Sequence, residues 1–225
     1  MDTVALLADT FAPMGGKRLL DIGCGGGHLA RALGKRGAVV TGIDPDPSAV
    51  ETAREVAPEA RFEVATATRL PFEDGAFEGA VFLNSLHHIA SSDMAAALSE
   101  AARITRQDGL VVVVEPLASG SFFDAFRPIE DETAVRRDAQ SAVEHAAAGG
   151  ALRKVTSLVF DRVEDFVDFA QFADRATAAA PERRAIITRD RSTIEAAFRQ
   201  HAGRTEAGRF RLVQPLKADT FAVMR

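Results

Sequence analysis

Apolar positions in the first half of the chain recur in two alternating registers. Arg18-Leu19-Leu20-Asp21-Ile22-Gly23 is a nearly unbroken apolar run ending in glycine, which predicts a buried strand entering a turn. His28 to Lys35 follows with Leu29, Ala30 and Leu33 on one helical face. Gly37-Ala38-Val39-Val40-Thr41-Gly42-Ile43-Asp44 is a second strand, stopped by Pro45 and Pro47, with Ser48 expected to cap a helix over 49–56. Arg61 to Ala65 and Gly79 to Asn84 are further strands, separated by the loop signals Pro71, Asp74 and Gly75. A helix is expected over 93–104 and a turn at Gln107-Asp108-Gly109. The run Leu110-Val111-Val112-Val113-Val114-Glu115, closed by Pro116, is the plainest strand of all. Strands that are apolar on both faces and alternate with helices predict an α/β fold built on a parallel sheet covered on both sides.

The pattern changes after Pro116. Residues 121–148 mix Ala with Glu and Arg and read as helix, broken at Gly149-Gly150. Lys154 to Phe160 is a sixth strand, 163–175 and 181–200 are helical, and Phe210 to Met224 forms one or two strands. Residues 2–12, with Val4, Leu6, Leu7 and Phe11, form a short amphipathic helix broken at Pro13.

Composition narrows the function classes. A formal net charge of -5 disfavours wrapping nucleic acid, which needs a basic surface. The single cysteine, Cys24, allows neither an internal disulfide nor a cysteine-held zinc, and no metal site is expected. No signal-peptide pattern and no apolar run of membrane-spanning length is seen, so the expectation is a cytoplasmic chain, monomer or homodimer. With no Trp and no Tyr, every aromatic is one of 15 Phe, and any aromatic pocket wall is purely apolar.

The chemistry concentrates in Asp21-Ile22-Gly23-Cys24-Gly25-Gly26-Gly27. A glycine-rich turn between strand and helix lets backbone approach a ligand and aims free N–H groups at its polar atoms. The spacing Gly25-x-Gly27-x-x-Ala30, with Asp44 downstream, fits a nicotinamide-dinucleotide site. Asp21, two residues ahead of the first glycine, and the series Gly23, Gly25, Gly27 point to a different nucleotide.

In these residues the chain resembles the class I S-adenosylmethionine-dependent methyltransferase superfamily, in its small-molecule branch with the ubiquinone and menaquinone C-methyltransferases. The resemblance runs in order through Leu19 to Gly27, Gly42-Ile43-Asp44, Arg69 to Glu78, Leu86-His87-His88-Ile89, Asp108 to Val111 and Glu115-Pro116, and ends there. It implies a Rossmann-like seven-stranded, mostly parallel sheet with helices on both faces, the last strand antiparallel, and a helical lid at about 117–150 within a single domain, 1–225. It implies that Gly23, Cys24, Gly25 and Gly27 line the methionine and ribose part of S-adenosylmethionine, with S-adenosylhomocysteine as product. Asp21 then faces the ammonium end, Asp44 accepts from the ribose hydroxyls, Pro45 flanks adenine and Asn84 touches the cofactor or the passage to substrate. Where the family commonly has an Asp after the third strand this chain has Thr66, so the adenine contact falls to Thr66 or to backbone at Ala67.

Other residues carry less. Cys24 reads as a small buried residue rather than a nucleophile. Adjacent His87 and His88 point in different directions, so one at most faces a pocket, and His87 is the candidate base. His145 and His201 stand alone, the arginines of 183–191 read as a solvated helix face, and Phe160, Phe166, Phe169 and Phe172 as packing. The expected activity is direct methyl transfer to a small-molecule acceptor. The alternatives are a binding protein that keeps the cofactor without transfer, and an NAD(P)-dependent oxidoreductase, for which no catalytic Tyr is present.

Overall fold

A computed structural model describes residues 2–178 and 180–224; Met1, Ala179 and Arg225, inside the expected 1–225 domain, lie outside them. The chain divides into two compact units, one of Met1–Glu115, Asp138–Val159 and Lys217–Arg225, the other of Pro116–Arg137 and Phe160–Leu216. The helical segment expected at 117–150 is thereby shared between them.

In the first unit the elements follow the apolar pattern: α1 Thr3–Thr10, β1 Arg18–Ile22, α2 His28–Gly34, β2 Val39–Asp44, α3 Pro47–Val56, β3 Arg61–Val64, β4 Phe77–Leu83, α4 Met94–Ile104 and β5 Thr105–Pro116. The strands pair in parallel, Leu20 beside Thr41 on one side and Ala80 on the other, and Val81 beside Val112. Leu20, Ile22, Phe82, Val111 and Val113 share one buried cluster with Leu98 and Ala101 of α4, which is why those strands read as continuous apolar runs.

The remaining elements are α5 Ser121–Phe126, α6 Thr133–His145, β6 Leu152–Phe166, α7 Phe169–Thr177, α8 Arg183–Arg189, α9 Arg191–His201, β7 Gly203–Arg204 and β8 Phe210–Val223. Strand order in the sheet is β3-β2-β1-β4-β5-β8-β6, with β7 antiparallel on β8. The sheet is mostly parallel with an antiparallel end, as expected, and the two-residue β7 makes eight strands among the described residues instead of seven.

The second unit has its own core of Phe122, Phe126, Phe166, Phe169, Phe172, Phe198 and Phe210. The Phe172 and Phe198 rings stack at 5.0 Å. The packing role expected for Phe166, Phe169 and Phe172 is met there.

Four local expectations are corrected. The α3 cap is Asp46 rather than Ser48: its Oδ1 accepts from the Ser48 N–H at 2.9 Å, and Pro47 occupies the first helical position, where a fixed φ is favourable. The turn at 107–109 is absorbed into β5, with Asp108 at φ 60 where the β4–β5 register shifts. Residues 163–166 continue β6, because Asp168 sets the start of α7 by accepting from the Gln171 N–H at 2.9 Å. The 181–200 helix breaks at Asp190, whose φ of -107 and ψ of 24 are not helical. Arg183 also departs from a solvated face: it is largely buried and ion-paired to Glu130 at 2.6 Å.

Candidate functional site

Parallel strands deliver their C-terminal ends to one edge of the sheet, and those ends with the loops leaving them carry the candidate residues. The turn after β1 is anchored to its neighbour: the Gly23 and Cys24 N–H groups donate to the Ile43 carbonyl at 2.8 and 2.9 Å. Gly23, Gly25 and Gly27 all have positive φ, at 75°, 49° and 76°.

Two of these glycines serve different ends. A Cβ on Gly23 would lie 2.5 Å from the Ser85 Cβ, so the close approach of the turns after β1 and β4 requires its absence. A Cβ on Gly25 would meet nothing within 4 Å, so this residue is needed for its left-handed backbone and leaves open space above it. Gly25→Ala should therefore cost about 1–2 kcal/mol of stability, the penalty of the left-handed conformation alone. Gly23→Ala should cost clearly more. Chemical denaturation of the two variants checks the order.

Asp21 is the last polar residue before the turn. It is buried, and its Oδ2 has no hydrogen-bond partner among the described residues. Burial, reinforced by the nearby Asp44 carboxylate, pushes its pKa up to about 7. A carboxyl group left without a donor in such a place is a strong signal for a ligand that brings one. Burial and the same two carboxylates push the Cys24 thiol well above its ordinary range, which keeps it from acting as a nucleophile.

Asp44, at the end of β2, is half-buried and bridges two loops. Its Oδ2 accepts from the Gly25 N–H and its Oδ1 from the Asp46 N–H, both at 3.0 Å. Pro45 beside it is exposed. After β3, Thr66 is exposed and forms an isolated antiparallel bridge with Arg69, while Ala67 packs on the core.

The turn after β4 is the most constrained. Asn84 adopts φ 52, unusual outside glycine, and its Oδ1 is buried with no partner among the described residues. Ser85 donates its hydroxyl to the Ile22 carbonyl at 2.6 Å, joining this turn to β1. Leu86–His88 is a single 3-10 turn. Buried Glu115, from β5, accepts the Ser85 and Leu86 N–H groups on Oε1 at 2.9 and 2.8 Å, and its Oε2 pairs with His87 Nδ1. His87 is buried and His88 exposed, and their rings lie 4.1 Å apart, so the two do not point in different directions as expected from sequence.

The residues singled out from sequence thus lie along one strand edge. Two were missed as site residues. Ser85 carried no signal, and Glu115 carried one: a carboxylate ending a five-residue apolar run must find donors when it is buried. Among the described residues, no group of three or more His, Cys, Asp or Glu is placed to hold a metal ion, and no helix is long and apolar enough to cross a membrane.

Residues 20–113 match the family model of a methyltransferase domain. The chain is 38% identical over 111 residues to a ubiquinone biosynthesis O-methyltransferase of Alkalilimnicola ehrlichii, covering 47% of this chain and 44% of that protein. The match thus spans less than half the length of that relative. The crystal structure of YcgJ from Bacillus subtilis aligns with 99% of this chain and 98% of its own at a TM-score of 0.66 and 22% identity. That of the [4+2]-cyclase SpnF aligns with 98% of this chain and 80% of its own, at a TM-score of 0.63 and 20% identity. These structural likenesses establish the fold.

Proposed function

We propose, from the premise that residues 20–113 are a methyltransferase domain of the class I superfamily, that this chain transfers a methyl group from S-adenosylmethionine to a hydroxyl of a small molecule. The observation that carries the cofactor reading is the unpartnered Asp21 Oδ2, buried beside a glycine turn with open space at Gly25. A carboxylate there fits an ammonium group, which an amino-acid-bearing nucleoside has and a nicotinamide dinucleotide lacks. Asn84 Oδ1 is a second buried acceptor awaiting a donor. Gly23, Cys24, Gly25 and Gly27 would line the methionine and ribose part, Asp44 the ribose hydroxyls, and Pro45, Thr66 and Ala67 the adenine. The cofactor supplies a methyl group already activated on a sulfonium, so the protein's work is alignment and exclusion of water.

The acceptor reading rests on His87. Its Nδ1–H is donated to Glu115, which fixes the tautomer and leaves the Nε2 lone pair to take a proton. A base matters only when the acceptor must lose a proton on methylation, as a hydroxyl does. The relative named for ubiquinone O-methylation supports the same class. The held pair also weighs against a chain that binds cofactor without using it, and the absence of any Tyr weighs against hydride transfer. A cytoplasmic location fits this reading.

Calorimetric titration of the purified chain tests it. S-adenosylhomocysteine should bind with one-to-one stoichiometry and NADH should not. Binding of NADH alone, or of neither, would overturn the proposal.

A further inference from the structure

Strand β6 ends the sheet order, so one of its sides has no strand partner among the described residues. Exposed edges are normally blunted by charges, proline, glycine bulges or a covering element, because their free N–H and C=O groups template pairing with another chain. Over Val155-Thr156-Ser157-Leu158-Val159 this edge has none of these. All five residues are exposed, with Val155 at 47%, Leu158 at 38% and Val159 at 54%. Since successive residues point to opposite faces, the segment is bare on both faces as well as at its edge.

The sequence around this segment is complementary to itself. Antiparallel pairing of two copies about a two-fold axis at Ser157 sets Val155 opposite Val159 twice, an apolar cross-strand pair on the same face. One step further out it sets exposed Arg153 opposite exposed Asp161 twice. On the other face Thr156 meets Leu158. A shift by one residue would oppose Arg153 with Phe160 or Arg162 and lose the charge match. We propose that β6 is a dimerisation edge, covered in solution by the β6 of a second copy in this register. Such an interface is isologous, the commonest symmetry of soluble oligomers. The inference is independent of the methyl-transfer reading.

Sedimentation velocity over a concentration series tests it on three proteins: the unaltered chain, Val155→Lys/Val159→Lys and Val155→Lys/Val159→Glu. The unaltered chain should be a dimer. The double lysine variant puts Lys against Lys at two places and should raise the dissociation constant about tenfold or more. The Lys/Glu variant removes the same two valines but puts opposite charges together, and should recover most of the association. It also controls for folding, which circular-dichroism melts of all three verify. A monomeric unaltered chain, an undiminished dimer in the double lysine variant, or a Lys/Glu variant as dissociated as the double lysine one would each overturn the proposal.

Discussion

Replacing Asp21 with asparagine should raise the stability of the ligand-free chain at pH 8 while weakening S-adenosylmethionine binding. The buried carboxyl has its pKa raised from 3.8 to about 7. The folded state therefore holds this proton more tightly than the unfolded chain does. The resulting stability is fully present below pH 3.8, declines as pH rises, and is lost above about pH 7. A shift of about three units corresponds to a loss on the order of 4 kcal/mol across that window. Asparagine has no proton to lose, so the melting temperatures of the variant and the parent should be close at pH 4 and separate by several degrees at pH 8. Binding moves the other way. Removing the carboxylate that would face the cofactor's ammonium should weaken affinity by about 30-fold or more. In the unaltered chain the ligand selects the ionised carboxylate, so affinity should rise about tenfold per pH unit up to about pH 7, with uptake of a proton by buffer on binding. Calorimetry in two buffers of different ionisation enthalpy reads that proton directly. A parent chain whose stability and affinity are flat from pH 5 to 8 would defeat this account.

The second large effect is at Glu115. Glu115→Ala strands three buried donors, the N–H groups of Ser85 and Leu86 and the His87 ring. Each costs roughly 1–3 kcal/mol, so a loss of about 4 kcal/mol is expected, a large part of a typical domain's stability. Glu115→Gln separates structure from chemistry. Its amide oxygen can still accept the two backbone N–H groups, so the fold should hold. Its NH2 then faces His87 Nδ1 and demands an acceptor there, which moves the ring proton to Nε2 and removes the lone pair that takes the acceptor's proton. Glu115→Gln and His87→Gln should each lower kcat by about 10²–10⁴ while S-adenosylhomocysteine affinity changes little. Single-turnover methyl transfer to a hydroxyl acceptor drawn from a substrate panel, beside titration of each variant, checks the split. Glu115 acts through His87 and is a positioning residue; equal losses in binding and in turnover would make the pair merely structural.

In the first half of the chain local pattern and burial agree, and the elements are legible from the residues. The strands β1, β2, β4 and β5 are largely apolar on both faces, and the ends of β1, β2 and β5 could be placed from the glycines and prolines that follow them. Beyond Pro116 the pattern stops deciding. Residues 163–166 have the β-branched and aromatic character of a strand, but they sit in a mixed-charge stretch that also suits a helix, and the Asp168 cap settles the boundary. Arg183 looks like any surface arginine until the fold places Glu130 and Glu132 beside it. Ser85 was illegible for a related reason: its role is a hydrogen bond to a carbonyl 63 positions earlier in the chain. The glycines and acids proposed to hold the cofactor stood out in the sequence because they are tied to local backbone shape. Glu115 serves distant donors, and its pairing with His87 has no spacing rule.

Asp44 would carry a second role in the proposed site. A carboxylate offers about four lone-pair positions, and the Gly25 and Asp46 N–H groups already engage one on each oxygen. In the proposed role the remaining pair would accept from the two hydroxyls of an unmodified ribose. A nucleoside phosphorylated on either hydroxyl would bring an anion against an anion at a group whose nearby donors are committed. In the proposed cofactor role Asp44 would thereby discriminate among nucleotides as well as holding the loops, disfavouring those that carry a phosphate on the sugar edge.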